Sequence, residues 1–501
     1  MKKIFAALAA LMMTSADMFA GGILTNTNQS VAFLRNPARD AAIGLDGVYS
    51  NPAGVAFMPE GFHIAFNWQY AHQTRTIEST NPVFALGKKN DGNSTKTFEG
   101  VADAPIIPSL QAAYNKGNWS IQFNFSVPGG GGSCEFSDGL GSFERVVGGI
   151  ANMLQPLGAQ GYDMDGYMQG RQYYYGFQLG AAYKIYPNLS VYGGLRLLYG
   201  DATYKAKISN IMVKTSNAYV DFADYLQSAA TTVNNNLEVV NAGIQRYEQA
   251  GLPVPEDLLR TRATLEGTRG SLTQLQKYAD GVNLLSNQSG VGIAPVIGID
   301  WKYKNFNFAA KYEFKTQIRM KNESTVNKAS AIPAVNKFRD GEKVNEDQPA
   351  LLTIGAQWSP IDVVRLNAGW HHYFDKDANW YNNSQELLKH NTNEFLLGAE
   401  WDITDKLTVS AGGQLTRYGL SDDYMNDMSF VVNSYSIGFG FSYKIRNYLT
   451  LQAAYFQTNY GHYNVNYPEH KEMEGMLTIP AGSDSYTRTN RVLGIGCQVD
   501  L

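Results

Sequence analysis

The sequence predicts an all-β protein: a transmembrane antiparallel β-barrel of about fourteen strands with an N-terminal hatch in its lumen. Three observations carry this reading. Apolar and aromatic residues alternate with polar ones in run after run, as in Trp119–Val127 and Tyr435–Ile445. The connections between runs fall into two kinds, tight and long. An apolar stretch without alternation, Gly21–Glu60, precedes the first strand.

Successive strand side chains point to opposite faces, so each run presents one apolar face and one polar face. Tight turns are expected at Asn115–Asn118, Tyr186–Asn188, Lys304-Asn305, Ser359–Asp362, Asp402–Lys406 and Arg446-Asn447. Long loops are expected at about 78–105, 129–170, 206–288, 319–347, 375–392, 419–430 and 461–488. Tight turns alternating with long loops give an even strand number, with both chain ends on the tight-turn side. This asymmetry belongs to outer-membrane barrels. A sheet can cross hydrocarbon only when closed, because an open edge leaves unpaired N–H and C=O groups in lipid.

Aromatic residues gather near the strand ends (Trp68, Tyr70, Tyr114, Trp119, Tyr183, Trp301, Trp358, Trp401, Tyr443), as interfacial girdles do. The last strand carries an unbroken apolar face of Leu493, Ile495, Cys497, Val499 and Leu501. The opposite, lumenal face is expected to hold His63, Asn67, Gln69, Arg196, Asp300, Lys311, Glu313, Arg365, Glu400 and Lys444.

Composition excludes other classes. The net charge is −4, without the basic excess of a nucleic-acid binder. Beyond residue 20 no run reaches the ~18–20 consecutive apolar residues of a spanning helix. Residues 1–20 carry Lys2-Lys3, an apolar core from Ile4 to Met13 and Ala20 at the expected cleavage point, which reads as a secretory signal peptide. Cys134 in a Gly-rich loop and Cys497 in the final strand are read as unpaired thiols.

The 206–288 loop differs from the rest. Leu237, Val240 and Ile244, then Leu258, Leu259, Leu265, Leu272, Leu275 and Leu284, have helical spacing, interrupted by Pro253 and Pro255. Two or three amphipathic helices are expected there, on the outer side. They either bury their own stripe or receive an apolar ligand or a protein partner.

No enzyme motif is present: neither GxSxG nor HExxH occurs. His371 and His372 point to opposite faces of a strand and cannot share a metal. Gly129–Gly132 lacks the Lys-Ser/Thr of a phosphate loop and reads as a flexible loop. The acidic run Asp422, Asp423 and Asp427 reads as a solvated loop. No cofactor, metal or catalytic residue is assigned.

Gly21–Glu60 holds Val31, Phe33, Leu34, Ile43, Leu45, Val48, Tyr49, Val55, Phe57 and Met58, too many apolar residues for a mobile tail. About fourteen strands leave a lumen that side chains alone do not fill. The segment is therefore expected inside the barrel as a plug, folded back at Asn36-Pro37 and Asn51-Pro52.

Ser50-Asn51-Pro52-Ala53-Gly54, the apolar run to Met58 and the direct entry into strand one resemble the hatch of the FadL-type long-chain fatty acid transporters, which include the TodX-like aromatic-hydrocarbon channels. The Gly21-Gly22 start and Arg39-Asp40-Ala41-Ala42 are similar too. The resemblance implies a monomeric cell outer membrane channel for passive uptake of hydrophobic compounds such as long-chain fatty acids. Lipid and lipopolysaccharide would surround it. Asn51, Pro52, Ala53, Gly54, Phe57 and Met58 would be hatch elements, with Phe33 and Leu34 lining the ligand path. Two other roles stay open: a scaffold that docks secretion or surface-attachment partners through the helical loop, and a haem receptor using His371 or His390. The expected division is a signal peptide at 1–20, a hatch at 21–60 and a barrel at 61–501.

Overall fold

The computed structural model describes residues 22–326 and 337–501; the expected signal peptide, Met1–Ala20, lies outside the described residues. The chain enters through two short helices, α1 (Val31–Arg35) and α2 (Gly47–Ser50). The wall follows: β1 (Gly61–Thr80), β2 (Thr95–Lys116), β3 (Trp119–Phe136), β4 (Gly161–Tyr186), β5 (Leu189–Lys214) and β6 (Val282–Tyr303). β7 comes in two pieces, Phe306–Glu313 and Arg319–Val326, as does β8, Lys343–Asn345 and Leu351–Ile361. β9 (Val364–Tyr373), β10 (Thr392–Asp402), β11 (Leu407–Arg417), β12 (Ser434–Arg446), β13 (Leu449–Tyr460) and β14 (Gly482–Asp500) complete it. Each strand pairs antiparallel with the next, and β14 pairs with β1 from His63↔Asp500 to Thr80↔Ser483. The barrel is closed and fourteen-stranded.

The six tight turns stand where the sequence places them. Most of the long loops are shorter than expected, because the strands run on past their apolar portion; those at 374–391 and 418–433 are not. β5 extends to Lys214 and β6 begins at Val282, which shortens the helical connection. The extra strand length turns Lys207, Asn283 and Asn287 outward, so the apolar outer face that marks the other strands is missing there.

Phe66, Ile121, Leu179, Leu195, Ile293, Leu397, Phe439 and Ile495 are all exposed on the outer surface. A soluble protein does not present so large an apolar area, whereas a hydrocarbon-facing barrel requires it. Inward-facing His63, Asn67, Gln69, Arg196, Asp300, Lys311, Glu313 and Glu400 are buried, as expected. Arg365 is only partly so, and Lys444 sits exposed near the Arg446 turn rather than inside.

Over the long-loop end lies α3 (Gly141–Met153), whose Phe143, Val147 and Ile150 join Phe84, Leu477 and Ile479 in one apolar core. Asp427 accepts from the Ser142 amide at 2.6 Å at the start of this helix, and Arg145 pairs with Asp484 at 2.9 Å. The helical insertion is a hairpin of α4 (Phe222–Gln249) and α5 (Glu256–Leu275), broken at Pro253 and Pro255 as the sequence predicts. Asp221 caps α4 by accepting from the Ala223 and Asp224 amides. The hairpin is rooted by Phe222, Tyr225 and Leu226, with Tyr225 donating to the Leu157 carbonyl. At about 1.5 Å per residue, α4 is about 42 Å long.

Candidate functional site: the hatch and the wall it closes

Residues 22–58 fill the lumen. Val31, Phe33, Leu34, Leu45, Val48, Ala53 and Val55 are all buried. Ser30 caps α1 through a 3.1 Å bond from the Phe33 amide, and Arg35 ends it. The chain then doubles back, as Asn36-Pro37 predicts, and delivers α2 and the Asn-Pro-Ala-Gly turn to the opposite wall.

The turn is held by its own hydrogen bonds, such as the Asn51 amide to the Gly47 carbonyl at 2.8 Å, and by side chains of the wall. Asn51 Nδ2 donates to Asp300 Oδ2 at 2.6 Å, while Asn51 Oδ1 accepts from the Gly54 amide at 3.2 Å. Gln122 donates to the Pro52 carbonyl at 2.8 Å, Ser190 to the Ala53 carbonyl at 2.6 Å and Asn115 to the Val55 carbonyl at 2.9 Å. A plug without regular structure leaves its carbonyls unpaired, and the polar inner wall supplies the donors. Ala53 and Ala56 pack on Ala182, Tyr192 and Val296. Met58 packs on Leu45, Val48, Val55, Ala65 and Ala113. Phe57 is half-buried under the Lys302 ammonium. Phe33 meets Phe456, and Leu34 is fully buried.

Charges bind the rest of the hatch. Glu400 receives Arg35 at 2.8 Å, Arg39 at 3.1 Å and Arg365 at 3.3 Å, and Arg39 also grips Asp46 at 2.8 Å. His371 Nε2 lies 2.9 Å from Asp40 Oδ1, and its Nδ1 lies 3.0 Å from Glu394 Oε2. Both ring nitrogens can donate only in the cation, so this is the geometry of an imidazolium between two carboxylates. It leaves His371 no nitrogen for a haem iron. Tyr49 lies between two cations, Arg196 at 4.9 Å and Lys311 at 4.7 Å from its ring, and both cations pair with Glu313. Burial raises the Tyr49 hydroxyl well above its ordinary pKa and Glu313 adds to this, so the ring stays neutral.

Two features of the wall escaped the sequence reading. The first is a row of inward-facing glycines. Gly398 pairs with Gly412, and Gly412 with Gly438, across β10, β11 and β12. A side chain at Gly398 would collide with Asn36, one at Gly412 with Pro37, and one at Gly438 with the Leu34 carbonyl. Gly355 and Gly369, paired on β8 and β9, make the same room for Asp40. The glycines let the hatch backbone lie directly on the wall.

The second is a gap in the ladder. β2 and β3 pair from Lys116↔Trp119 to Leu110↔Phe125 and again from Asp103↔Ser133, but not between. Pro105, Pro108 and Pro128 lie in that interval and have no N–H to offer. Gly129–Gly132, expected as a flexible loop, is instead part of β3, with Gly130 at φ 66° and Gly131 at φ 122°. Cys134 is likewise in this strand, buried, and both cysteines are free as expected.

The hatch's leading segment takes the place of the missing pairing. The Asn26 amide donates to the Pro128 carbonyl at 2.9 Å and Asn26 Nδ2 to the Gly130 carbonyl at 2.6 Å. Gln29 exchanges bonds of 3.0 and 2.9 Å with the Val127 carbonyl and amide. On the other side, Ser109 donates to the Gln29 carbonyl at 2.6 Å. Residues 26–29 thus seal a wall opening from within. The sequence signal is Pro105 and Pro108 on one strand facing Pro128 and four glycines on the next, where the apolar alternation weakens.

No family model matches the chain, and no curated protein matches it in sequence. Solved structures do. A FadL homologue of Pseudomonas aeruginosa aligns over 96% of this chain and 100% of its own, with a TM-score of 0.61 at 12% identity. The P. putida toluene transporter TodX aligns over 91% and 94%, with a TM-score of 0.51 at 12% identity. The monoaromatic hydrocarbon channel CymD aligns over 95% and 99%, with a TM-score of 0.50 at 13% identity. The chain has the FadL-type barrel fold.

Proposed function

We propose that this FadL-type barrel sits in the outer membrane and admits hydrophobic compounds by passive diffusion, with long-chain fatty acids or molecules of similar apolarity as cargo. The observation that carries this is the β2–β3 gap closed by residues 26–29 of the hatch. A channel for water-soluble solutes needs a polar lumen open from end to end. An apolar solute needs a way out of the lumen into lipid, which a break in the wall ladder provides. Moving residues 26–29 would uncover that break. The neighbours named as a toluene transporter and a monoaromatic hydrocarbon channel support an apolar cargo. No energy source is needed, since the cargo would run down its gradient. Asn51, Pro52, Ala53, Gly54, Phe57 and Met58 act as the fixed root of the hatch. Phe33 and Leu34 lie beside the path.

A second reading, a docking scaffold, is favoured by the α4–α5 hairpin, whose outer half exposes Val239, Leu252 and Leu259. One experiment separates the two. Uptake of radiolabelled oleate and of toluene is measured in cells expressing the wild type, a deletion of Asn51–Ala53 and a deletion of 222–275, with outer-membrane amounts matched. Loss of uptake in the first deletion only is expected. Uptake unaffected by the first deletion would overturn the channel reading.

A further inference from the structure

Just above the apolar belt, on the long-loop side, the outer wall of β4–β8 carries a cluster of cations. Lys205 and Lys207 face outward from β5, Arg319 and Lys321 from the upper piece of β7, and Lys343 from β8. Arg171 of β4 joins them. The register puts Lys321 directly opposite Lys343, whereas Arg171 faces Thr203, Lys205 faces Leu285 and Lys321 also faces Ser289, so neutral residues of β6 lie between the cations of β4–β5 and those of β7–β8. At about 4.8 Å per strand, β5 to β8 spans about 15 Å.

The side chains of Lys205, Arg319, Lys321 and Lys343 make no hydrogen bond or ion pair with another described residue. The carboxylates among them are Asp201, taken by Arg171 at 2.6 Å, Glu323, and Asp165, which lies near Lys207 and pairs with Lys89 at 2.7 Å. Interleaved are Thr203, Asn287, Ser289 and Thr325, which offer hydroxyl and amide groups. Elsewhere this level is held by neutral residues such as Thr74, Asn393, Asn459 and Thr489, by Asp103, and by the separate cations Arg417 and Arg491. The concentration is unexpected in a chain of net charge −4.

Like charges placed together without partners repel, and an anion at the surface relieves this. Immediately beneath the cations are Tyr173, Tyr175 and Tyr199, stacked along β4 and β5, and Val291. A ligand meeting both levels carries phosphate above acyl chains, and the hydroxyl and amide groups suit a sugar between them. We propose that this face binds a phosphorylated saccharide lipid of the outer leaflet. The inference rests on the membrane placement proposed above, but not on the apolar cargo.

The test is retention of bisphosphorylated lipid A by the full-length barrel in dodecyl maltoside, read by native mass spectrometry. The variants are Lys205→Gln/Lys207→Gln/Arg319→Gln/Lys321→Gln and, as control, Arg417→Gln/Arg491→Gln. All these side chains lie on the outer surface, and heat-modifiable gel mobility verifies the closed barrel. The fourfold variant is expected to retain about tenfold less lipid A, the control as much as wild type, and 500 mM NaCl should strip the wild type. Equal retention in the fourfold variant and wild type, or equal retention of phosphatidylglycerol and lipid A, overturns the proposal. A barrel absent from the outer-membrane fraction overturns it together with the placement.

Discussion

His371 on the wall and Asp40 in the hatch meet in a fork, with His371 Nε2 2.9 and 3.0 Å from the two carboxylate oxygens. Glu394 holds the other ring nitrogen and also accepts from Tyr373 at 2.7 Å and Thr416 at 2.8 Å. The wall side of this contact is therefore rigid, and the hatch side is the one free to leave. Gly355 and Gly369 make the approach of Asp40 feasible.

Asp40→Asn removes the hatch charge and leaves a buried imidazolium with one carboxylate. Breaking a buried pair in this way costs about 3–5 kcal/mol. The hatch is expected to loosen while the barrel persists. Planar-bilayer recordings check this: longer-lived conducting events are expected than in wild type, with unchanged heat-modifiable mobility on gels.

Asn51 anchors the turn by donating to Asp300 and accepting from Gly54. Asn51→Ala removes one of the two donors to Asp300 Oδ2, Asn307 at 2.8 Å being the other, and is expected to cost about 0.5–1.5 kcal/mol. A double-mutant cycle with Asp300→Ala measures it, because residues in direct contact do not add. Additive losses would show that the contact does not hold the turn.

The outer hairpin of His470–Glu472 and Leu477–Ile479 is expected to be pH-sensitive. The hydrogen bond to Glu472 raises the His470 pKa above its ordinary value. A raised folded-state pKa gives stability that is complete below the unfolded value of about 6.5 and fades as pH rises through the folded value. Hydrogen exchange at Leu477–Ile479, corrected for intrinsic rates, should show protection falling over that window. Glu472→Gln should flatten the dependence.

The barrel was legible because a closed wall with an apolar outer face follows a simple code. Most outward positions of the belt are apolar, and tight turns carry residues such as Asn188, Asn305 and Asn447. The plug was legible from the apolar residues of Gly21–Glu60, which alternation could not place. What resisted was the fit between them. Gly398, Gly412 and Gly438 lie far apart in sequence and become one row only through strand register. Pro105, Pro108 and Pro128 do not announce a gap, because each removes only one donor and the residues they face are known only through register. His371 and Asp40 are separated by most of the chain, and neither residue names its partner.

In the proposed function the hatch must leave the wall for cargo to pass. A Cβ placed on Gly496 of β14 lies 3.4 Å from Val31 Cβ, near the separation of about 3.8 Å that a disulfide needs. With Cys134 and Cys497 replaced by Ser, the pair Val31→Cys/Gly496→Cys would tie the start of α1 to the wall. Uptake of radiolabelled oleate should fall to background on oxidation and return on adding a reductant. Undiminished uptake by the fully cross-linked barrel would contradict the account.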